Sequence, residues 1–230
     1  MPVWPPCKCR NCTHPTALQV LDLMFPGFPP SHWNKINIHV GGSYGGKPAA
    51  LRRFAAAFGR LAPGAAARLT VENDDRPNSY SVADLLPLSH DTGIPITFDA
   101  HHHRCCSGGL AREEALAAAL ATWPAGVRPV VHWSEPPECP RRRRIHPHAH
   151  SAFVYGPISL HGREAEVDIM IESKAAEQAL LLYRDRIQPL EREGLASMGD
   201  AKWEQPLVHS RQSAGTVARV EAPAAARRAA

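Results

Sequence analysis

The stretch "GIPITFDAHHH" (Gly93–His103) decides the fold. Gly93 and Pro95 punctuate the chain, the apolar run that follows is of β type, and it ends in Asp99 with His101, His102 and His103 close behind. Polar and ionisable side chains so crowded are costly in a core unless they are paired or bound to a metal. A strand that delivers them at its carboxyl end is the simplest way to place them in a site.

Four other runs have the same make-up: "KINIHV" (Lys35–Val40), "RLTVEN" (Arg68–Asn73), "PVVHWS" (Pro129–Ser134) and "VDIMIES" (Val167–Ser173). Helical patterns lie between them. "PAALRRFAAAFGRL" follows the first run with Pro48 suited to a helix start, "SVADLLPLSHDTG" the second, "REEALAAALATW" the third and "KAAEQALLLYRDRIQPLERE" the last. A long polar segment, Glu135–Ser151, follows the fourth. Alternation of apolar strands with helices predicts a parallel sheet covered by helices, either an open doubly wound sheet or a barrel. In both, functional side chains collect at the carboxyl ends of the strands. Those ends carry His39, Glu72, Asp99 with His102, His132 and Glu172. One ionisable residue at a strand end fits a salt bridge or a hydrogen-bonded core histidine. All five strands ending this way point to a shared metal site. If the chain continues extended past Asp99, His101 and His103 point away from His102 and stand outside the site.

An eight-stranded barrel takes about 250 residues. This chain has 230, and its first clear strand begins near residue 35, after "TALQVLDLMF", which reads as a helix. The expectation is therefore an incomplete α/β TIM barrel that lacks the first two or three βα units. It would occupy residues 17–194, between a disordered Pro-rich leader (1–16) and a disordered Ala/Arg-rich tail (195–230). The net charge of +4 permits a polyanionic partner without requiring one. No stretch approaches the length of a membrane span and "MPVWPPCKCRNC" has no apolar signal region, so a cytoplasmic protein with no membrane contact is expected. Cys7, Cys9 and Cys12 have no second cysteine or histidine pair at zinc-finger spacing, and neither they nor Cys105, Cys106 and Cys139 read as a disulfide framework.

Carboxylates bridge hard cations and imidazoles suit Zn, Mn or Fe, so three acids with four or more histidines can hold more than one divalent ion. Such a cluster suits phosphodiester hydrolysis, and equally a sugar isomerase that polarises a carbonyl and an alcohol. The four arginines of "RRRRIHPHAH" (Arg141, Arg142, Arg143 and Arg144) suit phosphate contact, or form a solvated loop. Tyr44 and Lys47 of "GGSYGGK" fall at the same end of the sheet. Asn73 is a candidate to orient Glu72, and Asp74 and Asp75 to cap the segment that follows.

The ordered set "INIHVGGSYGGK" (Ile36–Lys47), "LTVENDD" (Leu69–Asp75) followed by Tyr80, "GIPITFDAHHH", "PVVHWS" and "DIMIESKAAEQALL" (Asp168–Leu181) resembles the UV damage endonuclease family over roughly residues 17 to 190. That family is a TIM barrel in the group of apurinic endonuclease IV and the xylose-isomerase-like barrels. The resemblance implies a DNA repair enzyme that cuts damaged double-stranded DNA immediately 5′ to a UV photoproduct, leaving a 3′-hydroxyl and a 5′-phosphate. It implies two or three divalent ions, usually manganese. No protein partner is expected. By the same resemblance His39, Glu72, Asp99, His102, His132, His150 and Glu172 are metal ligands, and the set Glu72, Asp99, His132 and Glu172 forms the catalytic core. The chain departs from the family where a metal-site lysine is replaced by Val130, where an aspartate is replaced by Ala152, and in the absence of the family's N-terminal third. His102 would then share a weakened site with His150, and His39 would lack a partner unless His14 is a remnant of the family's H-P motif. A catalytically defective fragment that keeps metal or weak DNA binding is the alternative, and a sugar isomerase-type barrel a more distant one.

Overall fold

The computed structural model describes Met24, residues 27–137, His146 and residues 148–187. The leader with Cys7, Cys9, Cys12 and His14, the helix expected over "TALQVLDLMF" apart from Met24, Arg141–Arg144 and the tail lie outside the described residues.

Five strands form one sheet: β1 (Ile36–Ile38), β2 (Leu69–Glu72), β3 (Ile96–Asp99), β4 (Val130–Trp133) and β5 (Asp168–Ile171). Every pairing is parallel and the spatial order is the sequence order, β1-β2-β3-β4-β5. A doubly wound sheet reverses its order at a switch point, whereas successive βα units of a barrel do not. The order therefore selects the barrel: this is an incomplete TIM barrel. The helices are α1 (Lys47–Phe58), α2 (Pro63–Arg68), α3 (Val82–Thr92), α4 (Ala100–Cys105), α5 (Arg112–Leu120) and α6 (Glu177–Leu182), the last running into a π-helical turn at Tyr183–Ile187. Among the described residues no helix is long and apolar enough to cross a membrane.

Side chains alternate across a strand, so each run has two faces. The outer face presents Leu69, Val71, Ile96, Phe98, Val131 and Trp133, all buried with the apolar sides of α3 and α5. Each of these side chains contributes about 1.5–3 kcal/mol by burial. The inner face carries a polar row. Thr97 Oγ1 donates to Thr70 Oγ1 (3.2 Å), Thr70 Oγ1 donates to Asn37 Oδ1 (2.9 Å), and Asn37 Nδ2 donates to Glu72 Oε2 (2.6 Å). Register places Asn37 opposite Thr70, Glu72 opposite Thr97 and Asp99 opposite His132, which brings the site residues of neighbouring strands side by side.

Two local features differ from the sequence expectation. The residues after Asp99 are helical, not extended. The Asp99 side chain accepts from the backbone N–H of His102 (2.6 Å) and so caps α4, a role that aspartate fills as well as any residue. His101, His102 and His103 are consequently all buried. The short helix α2, opened by Pro63, was not anticipated.

Gly108 is the tightest joint of the scaffold. It holds φ +63°, and a Cβ there would meet the side chain of Ser81, with the Cβ atoms 2.6 Å apart. Ser81 cannot give way freely, because its hydroxyl accepts from Asp84 N (3.3 Å) while Asp84 Oδ2 accepts from Ser81 N (3.0 Å) at the start of α3. Gly108→Ala combines left-handed strain with loss of this cap. It is expected to destabilise the protein by about 1–3 kcal/mol, read as a lower denaturation midpoint with unchanged slope.

Candidate metal centre

Glu72, the last residue of β2, is at the centre. Its Oε1 lies 3.2 Å from His102 Nδ1 and 3.2 Å from His132 Nδ1, and its Oε2 lies 3.9 Å from His39 Nε2. Two groups share it. His39, Glu72 and His102 form one, and Glu72, Asp99, His132 and Glu172 form the other, each with candidate ligand atoms within 4.8 Å of one another. Glu172, just past β5, stands 3.7 Å from His132 Nδ1 and is the exposed member of its group. His150 lies beside Glu172, with Nδ1 at 3.2 Å from the Glu172 carbonyl and Nε2 at 3.7 Å from Glu172 Oε1.

Whether these residues suit a cation can be tested on their own hydrogen bonding. Among the described residues, the buried atoms Glu72 Oε1, Asp99 Oδ2 and His132 Nδ1 have no hydrogen-bond partner; the close approach of Glu72 Oε1 to His132 Nδ1 lacks hydrogen-bond geometry. An unsatisfied buried polar atom costs about 1–3 kcal/mol, and three on residues of one 4.8 Å group call for a ligand. Carboxylate and imidazole donors are what a divalent cation takes. The residues fit a metal.

The electrostatics agree. Burial drives the Asp99 carboxyl up to about 6, since the opposing pull of His102 is smaller. Burial also works against an ionised Glu72, yet the adjacent His102 and His132 outweigh it and hold Glu72 well below the usual carboxylate range. Burial would lower His102, but Glu72 and Asp99 raise it to about 9. His102 Nδ1 faces two acceptors, the Asn73 carbonyl at 3.0 Å and Glu72, so that nitrogen carries a proton and Nε2 is left for a ligand. His101 and His103 are pushed the other way, to about 4, mainly by burial.

A supporting layer orients these groups. Asp74 Oδ1 accepts from His39 Nδ1 (3.1 Å), turning Nε2 toward Glu72. Asn73 does not orient Glu72; it brackets Asp99, accepting from Asp99 N (2.8 Å) and donating to Asp99 O (3.1 Å). Asp74 Oδ2 does cap the following segment, at Tyr80 N (3.2 Å). Asn37 was missed from sequence, although its place two residues before His39 puts both on the inner face. Replacing Asn37 with Leu removes the Glu72 clamp, and metal affinity is expected to fall about 10–100-fold with the circular dichroism spectrum retained, measured by calorimetric titration.

The structure thus gathers His39, Glu72, Asp99, His102, His132, His150 and Glu172 at one end of the sheet. It gives His39 the partners Glu72, Asp74 and His102, and it turns His102 toward Glu72, with the His150 ring edge-on at 5.6 Å. Val130 is buried on β4, two residues before His132. Tyr44 is 83% exposed on the β1–α1 loop. Lys47 is engaged internally, its Nζ 2.7 Å from Asp84 Oδ2.

Fold and site together define a class: parallel βα-barrel proteins with a carboxylate–imidazole metal-type cluster at the carboxyl ends of their strands. Residues 14–203 match the family described as UV-endonuclease UvdE, and the chain belongs to that family. It is 34% identical over 176 residues to a UV DNA damage endonuclease of Bacillus pumilus, covering 73% of this chain and 53% of the relative. It is 37% identical over 152 residues to a UV-damage endonuclease of Schizosaccharomyces pombe, covering 62% of this chain and 24% of that protein. The crystal structure of SacUVDE superposes with a TM-score of 0.59 at 32% identity, covering 77% of this chain and 56% of that one. The chain spans about half the length of the bacterial relatives it matches.

Proposed function

We propose that the chain is a metal-dependent DNA repair endonuclease that hydrolyses the phosphodiester bond immediately 5′ to a UV photoproduct in double-stranded DNA. The observation that carries this reading is that Glu72, Asp99 and His132, grouped with Glu172 within 4.8 Å, each hold a buried polar atom without a partner among the described residues, in a chain of the UV-endonuclease family. Glu72, Asp99, His132 and Glu172 would hold one divalent cation and His39, Glu72 and His102 a second, with His150 at the margin of a third; manganese is the proposed metal. Bound there, such ions supply Lewis-acid activation of water and neutralise charge on the phosphate.

The chain's own residues set the conditions for that chemistry. Glu72, fully ionised, belongs to both groups and fixes their spacing. Asp99 and His132 are buried and held by β3 and β4 in register, so their donor atoms are placed before substrate arrives. Glu172, with a side chain 48% exposed, marks the open side through which water and a phosphate reach the group. Tyr44 offers an exposed ring to a base or sugar beside the lesion, and Arg141–Arg144 would contact phosphates. Lys47 can join them only by leaving Asp84. Residues 17–194 would form the endonuclease domain, with the flanks outside it, in the cytoplasm.

One observation favours a chain that binds metal without cutting: buried, apolar Val130 occupies the inner position before His132. The test separates the two readings. With Mn²⁺, the purified chain should cut a duplex bearing one photoproduct and spare the undamaged duplex, and chelation should abolish the cut. Folded, metal-loaded protein that leaves the damaged duplex intact would establish the binding-only reading.

A further inference from the structure

We propose that Asp75 and His148 form a latch that positions His150 at the metal centre. His150 differs from the other proposed ligands in where it stands. Glu72, Asp99, His102 and His132 belong to strands or to α4, and His39 and Glu172 directly follow strands. His150 lies on the long connection between β4 and β5, in neither a helix nor a strand. A loop holds a side chain less precisely than a strand end does, so a ligand there needs anchors on both sides. Downstream the anchors are backbone hydrogen bonds. Ser151 N donates to Glu135 O (2.8 Å), Lys174 N to Ser151 O (2.9 Å) and Ala175 N to Ala152 O (3.0 Å). These seat the chain after His150 between the continuations of β4 and β5.

Upstream the anchor is a side chain. His148 Nδ1 lies 2.9 Å from Asp75 Oδ2, so Nδ1 carries the proton and donates to the carboxylate. Asp75 stands three residues past β2 and His148 on the β4–β5 connection, so the bond joins two elements that β3 separates in the sheet. Asp74 takes the cap at Tyr80 N, and Asp75 makes this contact instead; its other oxygen is 3.8 Å from Arg76 Nε, beyond hydrogen-bond length. His148 is also braced locally, its N donating to His146 Nδ1 (3.3 Å) while Ala149 N donates to His146 O (2.9 Å). Two residues on, the His150 ring meets the Glu172 carbonyl and lies 5.3 Å from the ring of His101 and 5.6 Å from that of His102. The side chains of Asp75 and His148 are 23% and 22% exposed, and a pair so open to water contributes little to stability. Its effect falls on where His150 sits. Both are positioning residues that act through His150, and the proposal rests on the reading of His150 as a metal ligand.

The test starts without metal and needs no incision assay. In the full chain, NMR of the histidine rings should show the His150 signals displaced in Asp75→Ala and in His148→Leu, with the circular dichroism spectrum retained. His148→Asn should keep the His150 signals in place, because an asparagine amide N–H replaces Nδ1–H. Where Asp75→Ala does not fold, His148→Leu against His148→Asn decides. Titration with Mn²⁺ gives the second readout. Asp75→Ala and His148→Leu should each lower, by about 10-fold, the affinity that His150→Ala lowers, and His148→Asn should restore it. Neither change should lower it further in a His150→Ala background, since residues that act through one ligand are not additive. His150 signals unmoved by both variants, or an equal further loss in the His150→Ala background, would overturn the proposal. If His150→Ala leaves Mn²⁺ affinity intact, the reading of His150 as a ligand fails, and the metal-free spectrum alone decides the latch.

Discussion

Glu72→Gln is expected to abolish metal binding at both ligand groups at once. Glutamine keeps the shape of the side chain and can still accept from Asn37 Nδ2, now 2.6 Å from Oε2. It loses the charge that His102, His132 and the cations would share. Removing a supporting residue from a metal site costs about 10–100-fold in affinity; a ligand common to two groups should cost more, so a loss above about 100-fold is expected in Mn²⁺ affinity and in any incision. The metal-free protein carries a second signature. His102, raised to about 9 chiefly against burial by Glu72 and Asp99, should titrate at lower pH in the variant, visible by NMR. His39→Ala is the control, because it disrupts only the three-residue group and leaves Glu72, Asp99, His132 and Glu172 together. Equal loss in the two variants would mean that Glu72 is not shared.

Asp99→Asn should separate two jobs that one residue performs. One oxygen caps α4 through His102 N (2.6 Å), and the other has no partner among the described residues, in a side chain that belongs to the four-residue group. Asparagine caps as well as aspartate, so the helix should survive while metal affinity falls by more than about 100-fold, in line with the loss of a direct ligand. Asp99→Ala should lose the cap as well, at about 1 kcal/mol. The pH dependence has a definite sign. Burial raises the folded carboxyl from 3.8 to about 6, so the native state holds this proton more tightly than the unfolded chain. Its contribution to metal-free stability is complete below about pH 4 and is lost as pH rises through about 6. The asparagine variant lacks that slope, and above pH 6 its metal-free form should be more stable relative to wild type than below pH 4. Denaturation at the two pH values reads this directly.

The strands and the ligand ends were legible because each strand is a short apolar run whose last residues break the pattern with an acid or an imidazole. Strand order followed from the same runs only as a choice between barrel and doubly wound sheet; the unbroken parallel order β1-β2-β3-β4-β5 settles it, and no local pattern encodes that order. The run after Asp99 was misread because the alternation was continued past it. Aspartate followed by "AHHHRC" also fits a capped helix, and the cap is what buries all three histidines. Asn37 and Thr70 were available to a period-2 reading, since they share a face with His39 and Glu72. The pairing of Lys47 with Asp84, 37 residues on, was not available, because the contact depends on how α1 packs beside α3. Nor were the partners of His39: Asp74 reaches it only because the β2 end lies beside the β1 end.

Diffraction from Mn²⁺-soaked crystals, at wavelengths on either side of the manganese edge, tests the central claim most directly. The account predicts an anomalous peak bounded by Glu72, Asp99, His132 and Glu172, within about 2.0–2.3 Å of their donor atoms, and none at that position in Asp99→Asn. Folded protein in saturating Mn²⁺ with no manganese peak among those four residues would contradict it.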